Sequence, residues 1–185
     1  NMSRMFSNAT NFNGDLSSWN VSSVTNMSRM FSNATNFNGD LSSWNVSYVI
    51  NMYRMFKDAN NFNGDLSSWD VSSVTTMAYM FYGSSTFNQD LSNWDVSLVT
   101  DMIDMFSGAS ALSDGNKCAI HTSWSSNENW PYDWSETCNS EPVVFQPQTK
   151  EELQTAVDLW VDDNPSALAT YGEINTWDVS LITDM

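Results

Sequence analysis

Four aspartates recur at intervals of 25 residues, and their carboxylates are candidate ligands for a metal ion. This acid column consists of Asp15, Asp40, Asp65 and Asp90, and a parallel asparagine column consists of Asn13, Asn38, Asn63 and Asn88. Carboxylates stacked about 4.8 Å apart would collect Ca²⁺. The interpretation that we favour is structural: each Asp caps a turn, and each Asn continues a ladder. We therefore expect no cofactor, with Ca²⁺ as the alternative.

Six asparagines stand in N-x-[ST] sequons, all of them within the first 50 residues. They are Asn1, Asn8, Asn20, Asn26, Asn33 and Asn45. On a secreted eukaryotic protein, such asparagines accept N-linked glycans. The alternative is that these columns form turns and ladders, and that duplication of the repeat multiplied the sequons. Because Asn1 and Asn26 open a predicted helical turn, we expect the other four to be the better acceptors.

Arginine recurs at the same interval, at Arg4, Arg29 and Arg54. These side chains would either bind an anionic glycan or, as we favour, pair with neighbouring acids. The single histidine, His121, has no second histidine and no repeated carboxylate beside it, so we interpret it as part of a cap.

Catalytic motifs are absent from the sequence: there is no Gly-rich phosphate loop, no G-x-S-x-G and no H-E-x-x-H. A glycosidase needs only two carboxylates. A repeat array, however, places the same residue in every copy, whereas catalysis needs one asymmetric set of groups. We predict that the chain is not an enzyme.

These candidate residues are positioned by a repeat that accounts for most of the chain. Residues 1–25, 26–50, 51–75 and 76–100 are four closely similar copies, and a fifth starts at residue 101 and fades after residue 112. In the second copy, Met27, Met30, Phe31 and Ala34 have the spacing of one helical face. The segment from Leu41 to Val49 fits a short strand. Such elements bury their apolar faces only when copies stack, which predicts an α/β solenoid with short parallel strands and short helices.

The repeat NMSRMF-x-x-A-x-x-FN-x-DLS-x-W-[DN]-VS-x-V-T resembles that of the BspA-type, leucine-rich-repeat-like surface proteins. The resemblance covers residues 1–112 and 175–185. It implies a leucine-rich-repeat-like solenoid on a secreted or surface-displayed protein. It implies no single biochemical activity, because the family is described mostly through adhesion and surface display.

The segment 113–147 interrupts the repeats with a Trp-rich loop between Cys118 and Cys138. We predict that these cysteines form a disulfide and that the segment caps the last apolar layer. In the segment 148–185, Thr149 and Glu152 predict a capping box, followed by an amphipathic helix and the strand of a new repeat. The apolar stripe of that helix is predicted from Leu153, Ala156, Val157, Trp160 and Val161. The three domains are thus 1–112, 113–147 and 148–185.

Superposing Asp184-Met185 on Asn1-Met2 gives a longer period of 183 residues, which suggests that several such modules follow one another in the native polypeptide. The formal net charge of −16 disfavours nucleic acid as a partner. No apolar run is long enough to span a membrane. We expect an extracellular or cell-surface structural protein, glycosylated and joined end to end with similar modules into a fibre or sheath. The alternative is a surface adhesin that binds a host protein or glycan.

Overall fold

The computed structural model of the chain describes residues 1–138, 145–162, 164–171, 174 and 177–181. The chain forms two compact units, Asn1–Cys138 and Asn139–Met185. The first unit contains the four full repeats, the partial fifth repeat and the segment that joins the two cysteines. The division into three domains stays a prediction.

The segment that opens each repeat is a run of turns rather than a helix. In the second repeat, the N–H groups of residues 27, 29, 31 and 33 donate to carbonyls of the third repeat over 2.7–2.9 Å. The N–H groups of residues 30, 32 and 34 donate to carbonyls three residues earlier over 3.0–3.2 Å. Arg29 and Asn33 have φ angles of 57° and 58°, which an α-helix does not contain. The predicted short helix is therefore wrong, because every second N–H leaves its own repeat.

The predicted strand from Leu41 to Val49 is also replaced by turns. The Trp44 N–H donates to the Leu41 carbonyl over 3.1 Å, and the Val49 N–H donates to the Val46 carbonyl over 2.8 Å. In the described residues, parallel pairing is confined to single bridges that link equivalent positions of successive repeats. These bridges join Asn26 to Asn51, Asn51 to Thr76, and Thr76 to Asp101.

The apolar columns of the repeats share one buried core. The rings of Phe31, Phe56 and Phe81 lie parallel, with centroids 5.5 and 5.6 Å apart. The tryptophan rings at residues 44, 69 and 94 are spaced by 6.5 and 6.4 Å. Each indole N–H donates over 2.9–3.0 Å to a leucine carbonyl in the repeat before it. Full burial of one such side chain stabilises by about 1.5–3 kcal/mol, so packing between repeats compensates for the scarcity of regular secondary structure.

Helix α1, Asp114–Trp124, and helix α2, Ser135–Cys138, belong to the first unit and come directly after the last repeat, and a disulfide joins them. Helix α1 begins where the Ser113 hydroxyl accepts the Asn116 N–H over 3.2 Å. Cys118 and Cys138 form the predicted disulfide, with their Cα atoms 4.8 Å apart.

The segment after the repeats supplies the groups that a further repeat would supply. The Trp124 ring stacks on Trp94 with centroids 6.2 Å apart, which extends the tryptophan column by one step. The Tyr132 hydroxyl accepts the Phe106 N–H over 2.8 Å, where earlier repeats use a carbonyl. The Asn127 amide donates to the carbonyls of Val96 and Val99 over 2.8 and 3.0 Å. The Tyr132 hydroxyl thus replaces a backbone carbonyl at this end of the array, and Asn127 adds two hydrogen bonds to the last full repeat.

The second unit contains helices α3, Lys150–Asp162, and α4, Asn164–Tyr171. The predicted capping interaction is present: the Thr149 hydroxyl accepts the Glu152 N–H over 3.2 Å. The Glu152 carboxylate accepts the Gln148 N–H over 2.7 Å, one residue before the position that a capping box uses.

The apolar stripe predicted for α3 is only partly correct. Ala156 is buried and Leu153, Val157 and Trp160 are partly buried, but Val161 is 76% exposed. The Trp160 and Trp177 rings meet edge to face with centroids 6.0 Å apart. The predicted register of Asp184 and Met185, and hence the period of 183 residues, lies outside the described residues.

Candidate functional surfaces

The acid column is fixed by turns that each aspartate makes with the residues after it. The Oδ1 atoms of Asp15, Asp40, Asp65 and Asp90 accept the N–H two residues later over 2.9 Å. For the first three, this backbone hydrogen bond holds the pKa of the carboxyl below its usual value. All four aspartates are exposed. The column therefore faces outward, and its first three carboxylates are held in the ionised form at neutral pH.

The asparagine column forms a ladder along the repeats. The N–H groups of Asn38, Asn63 and Asn88 each donate to the side-chain oxygen of the asparagine one repeat earlier, over 2.8–2.9 Å. The Ser113 N–H donates to Asn88 in the same way over 2.9 Å. The turn capping and the ladder that the sequence predicted are both present. In the part of the chain that the structure describes, no three His, Cys, Asp or Glu residues are grouped to hold a metal.

The sequon asparagines divide into two structural classes. The side-chain oxygens of Asn20 and Asn45 accept the N–H of the serine two residues later over 3.1 Å, and both residues are exposed. In contrast, Asn8 and Asn33 have left-handed backbones, and the Asn33 Nδ2 donates to Asn8 Oδ1 over 2.9 Å. A glycan is attached through Nδ2 and replaces one of its two hydrogens, so a glycan on Asn33 would have to leave the hydrogen that this bond uses.

The other predicted acceptors, Asn1 and Asn26, also form turns: their side-chain oxygens accept N–H groups two residues later over 2.9 Å. They open a run of turns and not the predicted helix. The expectation that the other four sequons are the better acceptors therefore loses its structural reason. Glycosylation at each of the six stays a prediction.

A group of cations and tyrosines projects from the turns that open the second, third and fourth repeats. We call it the tyrosine–cation ladder, and it consists of Arg29, Tyr53, Arg54, Lys57, Tyr79 and Tyr82. The Arg54 guanidinium carbon lies 4.9 Å from the centre of the Tyr53 ring and 4.8 Å from that of Tyr79. Arg29 lies 5.2 Å from the Tyr53 ring centre, and the Lys57 ammonium lies 5.0 Å from that of Tyr82.

The prediction that the recurring arginines pair with neighbouring acids is wrong within the described residues. Ion pairs there join Lys57 to Asp58 and Lys117 to Asp114. Arg29 and Arg54, both partly buried, instead lie against tyrosine rings, and each such contact contributes about 0.5–2 kcal/mol. The Arg54 Nε atom is buried, and it has no hydrogen-bond partner among the residues that the structure describes.

The end of the repeat array carries a groove and the single histidine. The groove, of about 510 Å³, is lined by Trp94, Asp95, Asn127 and Glu128 among others. Its amide and carboxylate groups could hydrogen-bond a hydroxyl-rich ligand. The His121 Nδ1 atom accepts the Trp130 indole N–H over 3.2 Å. One imidazole nitrogen is therefore engaged in a hydrogen bond within the segment that follows the repeats.

Sequence reasoning missed the parts of these surfaces that depend on the left-handed residues. Arg4, Arg29, Arg54, Tyr79 and Asp104 occupy one column and all have positive φ. The second left-handed column could have been recognised, because it reads Asn8, Asn33, Asp58, Gly83 and Gly108. These are the residue types that adopt this conformation most readily.

Among the described residues, no helix has the length and apolar character needed to cross a membrane. A comparison with protein-family models matches residues 1–119 to the family described as Mycoplasma protein of unknown function, DUF285. No curated protein and no solved structure matches the chain.

Proposed function

The chain belongs to the DUF285 family, and on this premise we propose that it is a non-catalytic structural repeat protein of the extracellular surface. The repeats are proposed to form a leucine-rich-repeat-like solenoid of the BspA type. Because the family's description leaves function open, the proposal depends on what the repeated side chains do.

One observation carries the proposal: the repeated side chains make contacts from one repeat to the next. The phenylalanine and tryptophan columns stack at 5.5–6.5 Å. The asparagine column donates and accepts along the array, and the indole N–H groups bond the previous repeat. Chemistry would need one distinct set of groups, whereas these columns repeat the same contact. Repetition of this kind suits a building element.

We further propose that such modules join end to end in a fibre or sheath and carry glycans on Asn20 or Asn45. The near-identity of residues 1–25 and 26–50 supports the structural role, since a specific binding face needs positions that vary from repeat to repeat. The Cys118–Cys138 disulfide suits an oxidising compartment, which supports the proposed extracellular location.

Negative-stain microscopy of material purified from its native source tests the structural role. We expect filaments or sheets, and discrete particles in every preparation would contradict the proposal. Labelling of intact cells with a membrane-impermeant amine reagent tests the location. The exposed Lys150 side chain should be modified without lysis, and protection until lysis would argue against surface display.

The second candidate function is a surface adhesin, which the tyrosine–cation ladder favours. Its residues Tyr53, Lys57, Tyr79 and Tyr82 occupy positions that do vary between repeats, as a recognition face requires. A glycan array probed with the intact chain tests it. Binding that is lost in Tyr53→Ala and Tyr79→Ala, while a matched Tyr48→Ala control still binds, would favour the adhesin over the structural role.

A further inference from the structure

We propose that the tyrosine–cation ladder docks a second copy of this chain, with the acid column of that copy lying against it. The inference rests on the proposed function, because it names a lateral contact through which structural modules would associate. It concerns the sides of the repeat array and not its ends.

The ladder concentrates positive charge on a strongly acidic molecule. Three of its members, together with Arg4, make up four of the six Lys and Arg residues of a chain whose net charge is −16. Within the described residues, Arg29 and Arg54 form no ion pair. A guanidinium that stacks on an aromatic ring keeps its in-plane N–H groups for a carboxylate. The tyrosine rings thus hold the arginine side chains in place and form no hydrogen bonds with the guanidinium N–H groups.

The acid column presents the complementary charge. Its carboxylates are exposed and each uses Oδ1 in a turn. They also repel one another: the charge of Asp15 opposes the lowering of the Asp40 pKa, and that of Asp40 opposes the lowering of the Asp65 pKa. A row of cations facing the column would relieve this repulsion.

The recurring arginines and the acid column have the same period, because both belong to the 25-residue repeat. Arg4, Arg29 and Arg54 recur every 25 residues, as do Asp15, Asp40, Asp65 and Asp90. If one arginine of one copy faces one aspartate of another, its neighbours face the next aspartates too. A single exposed ion pair contributes little, but several in register act together. Since the arginine and aspartate columns are different surfaces, the contact is heterologous and leaves both kinds of surface free for further copies.

Sedimentation velocity of the intact chain tests the inference, at ionic strengths of about 0.15 M and about 1 M. We expect reversible self-association that weakens at the higher salt. Arg29→Gln with Arg54→Gln should weaken it about tenfold, as two surface pairs predict. Asp40→Asn with Asp65→Asn should do the same while keeping the turns, since Asn20 and Asn45 make equivalent turns. The matched control, Lys117→Gln with Lys150→Gln, removes the same charge outside the ladder and should have no effect.

A charge exchange adds a test that a folding defect cannot mimic. Arg29→Glu with Arg54→Glu should abolish self-association, and so should Asp40→Lys with Asp65→Lys, while a mixture of the two variants should associate. Circular dichroism confirms that each variant is folded. A chain that is monomeric in both salts, an equal loss in the lysine control, or a mixture that fails to associate would each overturn the inference.

Two further outcomes distinguish lateral self-association from ligand binding by the ladder and from the proposed structural role. A monomeric chain that binds polygalacturonate through Arg29 and Arg54 would assign the ladder to a ligand and refute the self-contact. End-to-end filaments whose lateral association is unchanged by Arg29→Gln and Arg54→Gln would refute the inference and leave the proposed structural role intact. Absence of filaments from native material would contradict the structural role, whatever the ladder does.

Discussion

The hydroxyl of Tyr132 provides the sharpest test of how the repeat array ends. It accepts the Phe106 N–H over 2.8 Å, in the position where a further repeat would offer a carbonyl. Burial raises the pKa of Tyr132 to about 12, so the phenol stays neutral. Tyr132→Phe keeps the ring contacts with Trp130 and Trp134 and removes only this acceptor.

The expected cost follows from the orphaned N–H group. Leaving a buried donor unsatisfied costs about 1–3 kcal/mol, and the low end applies because this bond is only partly buried. If opening is local, the Phe106 amide should exchange with solvent deuterium about 5- to 30-fold faster. Hydrogen exchange resolved at the level of Phe106 measures this directly.

Tyr48 supplies the matched control, because its ring is 66% exposed and Tyr48→Phe removes the same hydroxyl from the surface. We expect no change at Phe106 in that variant. If the two variants leave the same protection at Phe106, the account of how side chains replace a further repeat is refuted.

Three further predictions concern the repeats and the segment that follows them. Gly83→Val should destabilise the chain by about 1–2 kcal/mol in urea titrations, because Gly83 has φ +69° and an added Cβ would clash with Asp58 Oδ1. Gly83→Asn brings the same Cβ but should cost less than Gly83→Val, since Asn33 adopts this backbone conformation, and Gly115→Ala, in open space on α1, should be neutral or stabilising. An Asn variant as unstable as the Val variant would argue against the left-handed explanation. Cys118→Ser with Cys138→Ser should cost about 3 kcal/mol, since the cross-link spans 20 residues; an unchanged urea midpoint would count against its structural role. The hydrogen-bonded aspartates have lowered pKa values when folded, so their stabilising contribution is complete above about pH 4 and is lost as pH falls through the folded pKa values; thermal melts of the wild type and of Asp40→Asn with Asp65→Asn should converge on acidification, and parallel pH dependences would contradict this origin.

Periodicity in the sequence predicts the core well, because a column of identical apolar residues leaves few other arrangements. The burial of Met27, Phe31, Leu41 and Trp44 agrees with it. The spacing could not reveal the local conformation. A run of turns that contains left-handed residues, such as Arg29 and Asn33, also buries apolar residues at i, i+3 and i+4. The residue types in the column of Asn33 and Gly83 carried that information.

The segment between the cysteines was the least predictable part of the fold. The disulfide of Cys118 and Cys138 follows from their isolation in one segment, and it is confirmed. The role of Tyr132 could not be derived, since its hydroxyl replaces a backbone carbonyl of a further repeat, and neither could the contacts of Asn127 with Val96 and Val99. The cation–tyrosine contacts were missed for a related reason: they join Arg29 to Tyr53 across repeats.

Equivalent residues of successive repeats lie over one another in this fold. Spin labels in place of the exposed Tyr48 and Leu98, which occupy the same position two repeats apart, test it directly. Two steps of about 4.8 Å place their backbones about 10 Å apart. We expect strong dipolar broadening of the spin-label spectrum that urea abolishes, and a folded chain without broadening would contradict the stacking of equivalent residues.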